Sequence, residues 1–90
     1  MDLQMARVPD VGFVLYRGTI NGSRFFFRAR GTGWIFMAYE TVGSFPRRSL
    51  TRKGTYGTGS SDASNMPADE AECIIRRFAR EYAAHLGEMQ

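Results

Sequence analysis

Val11-Gly12-Phe13-Val14-Leu15-Tyr16-Arg17-Gly18-Thr19-Ile20-Asn21-Gly22-Ser23-Arg24-Phe25-Phe26-Phe27-Arg28-Ala29-Arg30 is the stretch on which the fold turns. Both halves are rich in β-branched and aromatic residues. The Asn-Gly between them is the strongest short-range signal for a two-residue type I′ hairpin. Counting outward from that turn pairs Ile20 with Ser23, Gly18 with Phe25, Tyr16 with Phe27 and Val14 with Ala29. Successive side chains of a strand point to opposite faces, so this register divides the hairpin into two unlike surfaces. Val14, Tyr16, Ile20, Phe25, Phe27 and Ala29 form an uncharged face suited to a core. Phe13, Leu15, Arg17, Arg24, Phe26, Arg28 and Arg30 form the other, which mixes arginines with apolar side chains and suits solvent or a partner.

Gly31-Thr32-Gly33 marks the next turn. A three-residue loop with Gly33 left-handed would send Ile35, Met37 and Tyr39 to the core face and set Trp34 and Phe36 beside Arg30 and Arg28. A two-residue loop would exchange those sets, and the strand is apolar on both sides. The three-residue loop is the expectation. Residues 11–41 thus read as a three-stranded meander, with residues 1–10 as an N-terminal extension. Residues 43–65 form a basic stretch rich in Gly and Ser, where Pro46, Gly54, Gly57 and Gly59 argue for a loop. A structureless connection of that length is uncommon. A short edge strand is therefore expected around Ser49–Lys53, with mobility over Thr55–Ser64.

Residues 66–86 carry the helical signal. Asn65 or Met66 suits the cap, Pro67 the first turn, and Asp69 and Glu70 the positive end of the dipole. Ala71, Ile74, Ile75, Phe78, Tyr82 and Leu86 fall on one stripe, Glu72 and Arg76 make an i,i+4 pair, and Gly87 is a natural stop. The expected fold is α+β: one domain over residues 1–90, with a three- to four-stranded antiparallel β-meander followed by one C-terminal amphipathic helix packed on one sheet face.

With 43% hydrophobic and 23% charged residues, the chain belongs with ordinary globular proteins rather than disordered ones. Its charge is unevenly placed. Residues 1–60 hold nine basic and three acidic side chains, a balance of +6, whereas residues 61–90 hold three basic and six acidic ones. Eleven of the twelve basic residues are arginine, the side chain better suited to planar recognition of phosphate or carboxylate. Codon bias in a GC-rich genome is the alternative reason for that preference. A lone cysteine, no basic and apolar leader, and no long apolar run point to a cytoplasmic protein with no membrane partner.

The chemistries that leave signatures are not found. Cys73 and His85 are the only thiol and imidazole, and on one helix they stand roughly 18 Å apart along its axis. That is too far for a nucleophile and its base. One Cys and one His do not make a zinc site, and Asp62, Asp69 and Glu70 lack calcium-loop spacing. Glu40 has no indicated carboxylate partner. The run Lys53-Gly54-Thr55-Tyr56-Gly57-Thr58-Gly59 places its lysine before the glycines, the reverse of a Walker A loop. No enzyme activity, cofactor or metal is expected.

What remains is binding, with Arg17, Arg24, Phe26, Arg28, Arg30, Trp34, Arg47, Arg48, Arg52 and Lys53 as the candidate contact residues. Interleaved aromatics and arginines serve both protein-interface hot spots and nucleic-acid platforms. The order of three antiparallel strands and a helix over residues 11–86 is similar to the AP2-type DNA-binding domain, which implies a sheet laid against DNA. The small β–α build without catalytic residues also resembles, in class, phage-encoded inhibitors such as anti-CRISPR proteins. The expectation is an inhibitor or adaptor that docks on a nucleic-acid-handling protein complex. Direct binding of DNA or RNA is the alternative, and homodimerisation through the third strand or the aromatic face is a further option.

Overall fold

The computed structural model describes the backbone of residues 1–42 and 45–88 and the side chains of residues 1–40 and 48–85. Five strands follow one another as a simple antiparallel meander: β1 (Leu3–Arg7), β2 (Val14–Ile20), β3 (Ser23–Arg30), β4 (Gly33–Val42) and β5 (Phe45–Thr55). A 3-10 turn at Ala63–Asn65 leads into the single helix α1 (Ala68–Glu88). The class is α+β as the sequence implies, with five strands rather than three or four.

The first hairpin has the expected register, with Val14 opposite Ala29, Tyr16 opposite Phe27 and Ile20 opposite Ser23. Asn21 and Gly22 both take positive φ (50° and 86°), as a type I′ turn requires. The second hairpin has the other register. Arg30 pairs with Gly33 across a two-residue loop in which Gly31 takes φ 66° and Gly33 is not left-handed. A glycine at the first loop position with positive φ is the II′ pattern, whose twist matches that of the flanking strands. This shifts β4 by one residue relative to the expectation. Trp34, Phe36 and Ala38 join the covered face, and Ile35, Met37 and Tyr39 fall on the other.

Three further expectations are corrected. Residues 3–7 are not a free extension; they pair with β2, Leu3 opposite Ile20 and Arg7 opposite Tyr16. The edge strand expected at Ser49–Lys53 runs over Phe45–Thr55 and pairs along β4, so the third strand of the meander is not an edge through which a dimer could form. Gly87 does not end the helix, which continues to Glu88. Opposite Tyr39, β5 carries one extra residue, Arg48 and Ser49 lying between the Ala38–Leu50 and Glu40–Arg47 pairs, and Arg48 has φ 50°, a β-bulge.

The core lies between one sheet face and α1. Tyr16, Ile20, Phe25, Phe27, Phe36 and Leu50 meet Ala71, Ile75, Ala79 and Tyr82 of the helix. Phe78 extends this seam, with its ring 5.5 Å from Trp34 and 5.9 Å from Phe36, while Phe25 and Phe36 stack at 5.7 Å. Trp34 lies across Gly54, where an added Cβ would come within 2.5 Å of the indole, so only glycine leaves room for the ring.

The connection to the helix is built rather than loose. Asp62 folds back so that the backbone N–H groups of Thr58 and Gly59 donate to its Oδ2 (2.9 and 2.8 Å). The Ala63 N–H donates to the Gly31 carbonyl, and the Gly31 N–H to Ser64 Oγ, tying this segment to the second hairpin. The Tyr56 hydroxyl donates to Glu70 in the first turn of α1.

Candidate functional site

The side of the sheet turned away from α1 carries the cations. Side-chain alternation and the pairing register set its residues in rows across the strands. One row runs Ala6, Arg17, Phe26, Met37, Thr51; the next runs Leu15, Arg28, Ile35, Lys53. A third runs Gln4, Thr19, Arg24, Tyr39, and Phe13 and Arg30 lie at the far end. Arg17, Arg24, Arg28, Arg30 and Lys53 are all exposed. Phe13, Leu15, Phe26, Ile35, Met37 and Tyr39 between them are half-buried, although no element among the described residues covers this face. Arginine stems lying along apolar neighbours account for that partial cover. The Arg30 guanidinium, for instance, sits 5.4 Å from the centre of the Phe13 ring.

The electrostatics of the two sides differ. On the helix side Arg48 approaches Glu40 (3.8 Å), Arg52 pairs with Glu81, and Arg76 pairs with Glu72 (3.3 Å). Among the described residues, none of Arg17, Arg24, Arg28, Arg30 and Lys53 has a carboxylate partner. Arg28 and Arg30 stand two residues apart on one face of β3, roughly 6.6 Å along the strand. Two like charges on neighbouring positions of one face repel. An anion that settled among these cations would relieve this repulsion.

The face also has relief. Phe13, Leu15, Arg17, Arg24, Phe26 and Tyr39 border an open groove of about 570 Å³. A second, of about 400 Å³, lies on the other side of Arg28 and includes Arg30, Lys53, Gly33 and Gly54. Both are shallow and open, suited to a surface or a chain rather than to an enclosed small molecule.

The structure brings together Arg17, Arg24, Phe26, Arg28, Arg30 and Lys53 of the residues singled out from sequence. Trp34 borders the second groove, but the two-residue turn puts its ring on the helix side, packed between Phe27 and Phe78. Arg48 and Arg52 also belong to the helix side, where carboxylates hold them. The side chain of Arg47 lies outside the described residues. Ile35, Met37 and Tyr39 were missed as surface residues, and Gly31 in first place of the turn was the signal that would have found them.

The other chemistries can be placed as well. Cys73 is exposed on the outer side of α1, not at the seam, and His85 is twelve residues further along the same helix. Among the described residues, no three or more His, Cys, Asp or Glu side chains gather as a metal site would need. No helix there is long and apolar enough to cross a membrane. The N–H groups of Thr58 and Gly59 serve Asp62 and so do not face outward as a phosphate cradle.

Two tyrosines on the covered side have hydroxyl pKa values raised above 10.0. Burial raises Tyr16, with Glu72 adding to it and Arg7 opposing. Burial also raises Tyr82, with Glu40 adding to it, while the Ser23 hydroxyl nearby and Arg48 pull the other way; Ser23 lies close to the Tyr82 hydroxyl without meeting hydrogen-bond geometry.

No family model, curated protein or solved structure matches the chain.

Proposed function

We propose that this is a non-enzymatic binding protein, an inhibitor or adaptor that docks by its open sheet face on an acidic surface of a nucleic-acid-handling protein complex. The observation that carries this reading is the apolar ladder Leu15, Phe26, Ile35, Met37 and Tyr39, set among five cations that have no carboxylate partner among the described residues. Aliphatic side chains amid Arg and aromatic ones are the composition of an interface centre, where excluding water strengthens each polar contact. The unpaired cations ask for acid on the other side, and such a charge match speeds encounter and selects the partner.

Direct binding of nucleic acid is the second reading, favoured by the absence of any carboxylate among the face's charged side chains. The loss of Trp34 from the face weakens it, since base stacking would then fall to Phe26, Tyr39 and the arginine-covered Phe13.

Capture from the source cell's lysate, with and without nuclease and over a range of salt, separates the two. A docking protein retains its partner after nuclease and loses it when Met37 is changed to Asp. A direct nucleic-acid binder loses capture on nuclease treatment, and its affinity falls steeply with salt, less so in Arg28→Gln.

A further inference from the structure

One corner of the open face is more specific in its chemistry than the rest. Where Arg30 pairs with Gly33, and Gly33 with Thr55, the notch of about 400 Å³ is bordered by Arg28, Arg30 and Lys53, with Ile35, Gly33 and Gly54 along it. Gly33 has no side chain, so the row leaves a hollow where the rows beside it carry Ile35 and Met37. Arg28 and Lys53 lie on strands two apart, roughly 10 Å between backbones, and Arg30 is one alternation along from Arg28. Side chains as long as these can meet over the hollow. No carboxylate borders the notch.

We infer that this notch is a phosphate subsite, taking a phosphodiester group of the nucleic acid that the docked complex carries. The inference rests on the docking reading above and names a second component of the same partner. Two guanidinium forks and one ammonium match the oxygens of phosphate in both charge and geometry. Stacking of Arg30 on Phe13 uses the plane of the guanidinium and leaves its N–H edge for a ligand. A phosphodiester group carries one charge, as a carboxylate does, but the chain repeats that charge at each nucleotide and so can follow the cations along the face.

The test is an NMR titration of the ¹⁵N-labelled full chain with inorganic phosphate, with oligothymidylate, and with the same oligomer on an uncharged methylphosphonate backbone. Expected are saturable shifts centred on the Gly33 and Gly54 amides and the Arg28 and Arg30 side chains, with the charged oligomer binding more tightly than free phosphate and the uncharged one silent. Arg28→Gln and Lys53→Gln, each checked for an unchanged amide spectrum elsewhere, should weaken the oligomer about 5- to 10-fold and reduce its salt slope by about one. Equal binding by the uncharged oligomer, shifts centred on Arg17 and Arg24 instead, or free phosphate binding as tightly as the oligomer would overturn the assignment. A silent titration alongside protein capture that survives nuclease would overturn the subsite and leave the docking reading standing. Specific titration without protein capture would leave a phosphate site and remove the docking reading.

Discussion

The two faces of this sheet are made from the same strands and both carry aromatic and aliphatic side chains, yet they differ in charge and in what each side chain touches. On the covered side aromatic rings meet rings, and Arg48 and Arg52 meet Glu40 and Glu81. On the open side aromatic and aliphatic side chains meet arginine stems, and the cations meet no carboxylate among the described residues. The presence of an arginine is therefore a poor guide to its role here: Arg52 is held by Glu81 on one side, whereas Arg17 and Arg28 have no carboxylate partner among the described residues on the other. Partnering distinguishes them.

The largest test of that contrast compares two phenylalanines. Phe36→Ala, fully buried against Phe25 and Phe78, should cost about 3–5 kcal/mol of unfolding free energy in urea. Phe26→Ala on the open face should cost about 1 kcal/mol or less. Equal losses would mean that the open face is part of the core.

Next in size is Gly54→Val. Its side chain would enter the space of the Trp34 indole, costing about 1–3 kcal/mol and moving tryptophan emission to the red as the ring is displaced.

Alkaline titration gives a smaller effect with a definite sign. Tyr16 and Tyr82 ionise less readily folded than unfolded, so their contribution is fully present below pH 10.0 and is lost as pH rises through their raised folded values. Tyr82→Phe, which removes a buried hydroxyl without a partner, should leave neutral stability nearly unchanged and blunt that alkaline loss. The smallest effect belongs to Arg52→Ala. Its pair with Glu81 is partly exposed and should contribute less than about 1 kcal/mol by denaturant titration.

The parts of this arrangement that local chemistry dictates were legible in the sequence. Asn21-Gly22 admits one tight turn, and from it the β2–β3 register and the two-faced hairpin follow residue by residue. The helix was legible for the same reason, since its apolar stripe repeats over five turns and allows one docking face. β4 was not, because Trp34 to Tyr39 are apolar on both sides and a one-residue slip leaves a plausible core either way. Gly31 in first place of the turn was its one local signal, and the rings of Phe25, Phe27 and Phe78, brought close in the fold, support Trp34 and Phe36 as the inward pair. β1 is too short to show a period, and β5 hides behind Pro46, a bulge at Arg48 and a glycine reserved for an indole. Of the candidate site, the β2–β3 arginines were readable, whereas Arg48 and Arg52 were misplaced because their carboxylate partners come from residues distant in sequence or across a bulge.

The claim that the open face is the binding surface is tested most directly by reversing the same charge in two places. Arg17→Glu with Arg28→Glu acts on the open face, and Arg76→Glu with Arg80→Glu acts on the outer side of α1, where both arginines are also exposed. Each double variant changes net charge equally, and the helix variant also gives up the Arg76–Glu72 pair, so captured partner from lysate is read beside thermal unfolding, which registers that loss separately. The open-face variant should lose capture by more than tenfold while the helix variant keeps it. Retention by the open-face variant, or equal loss by both, would contradict the account.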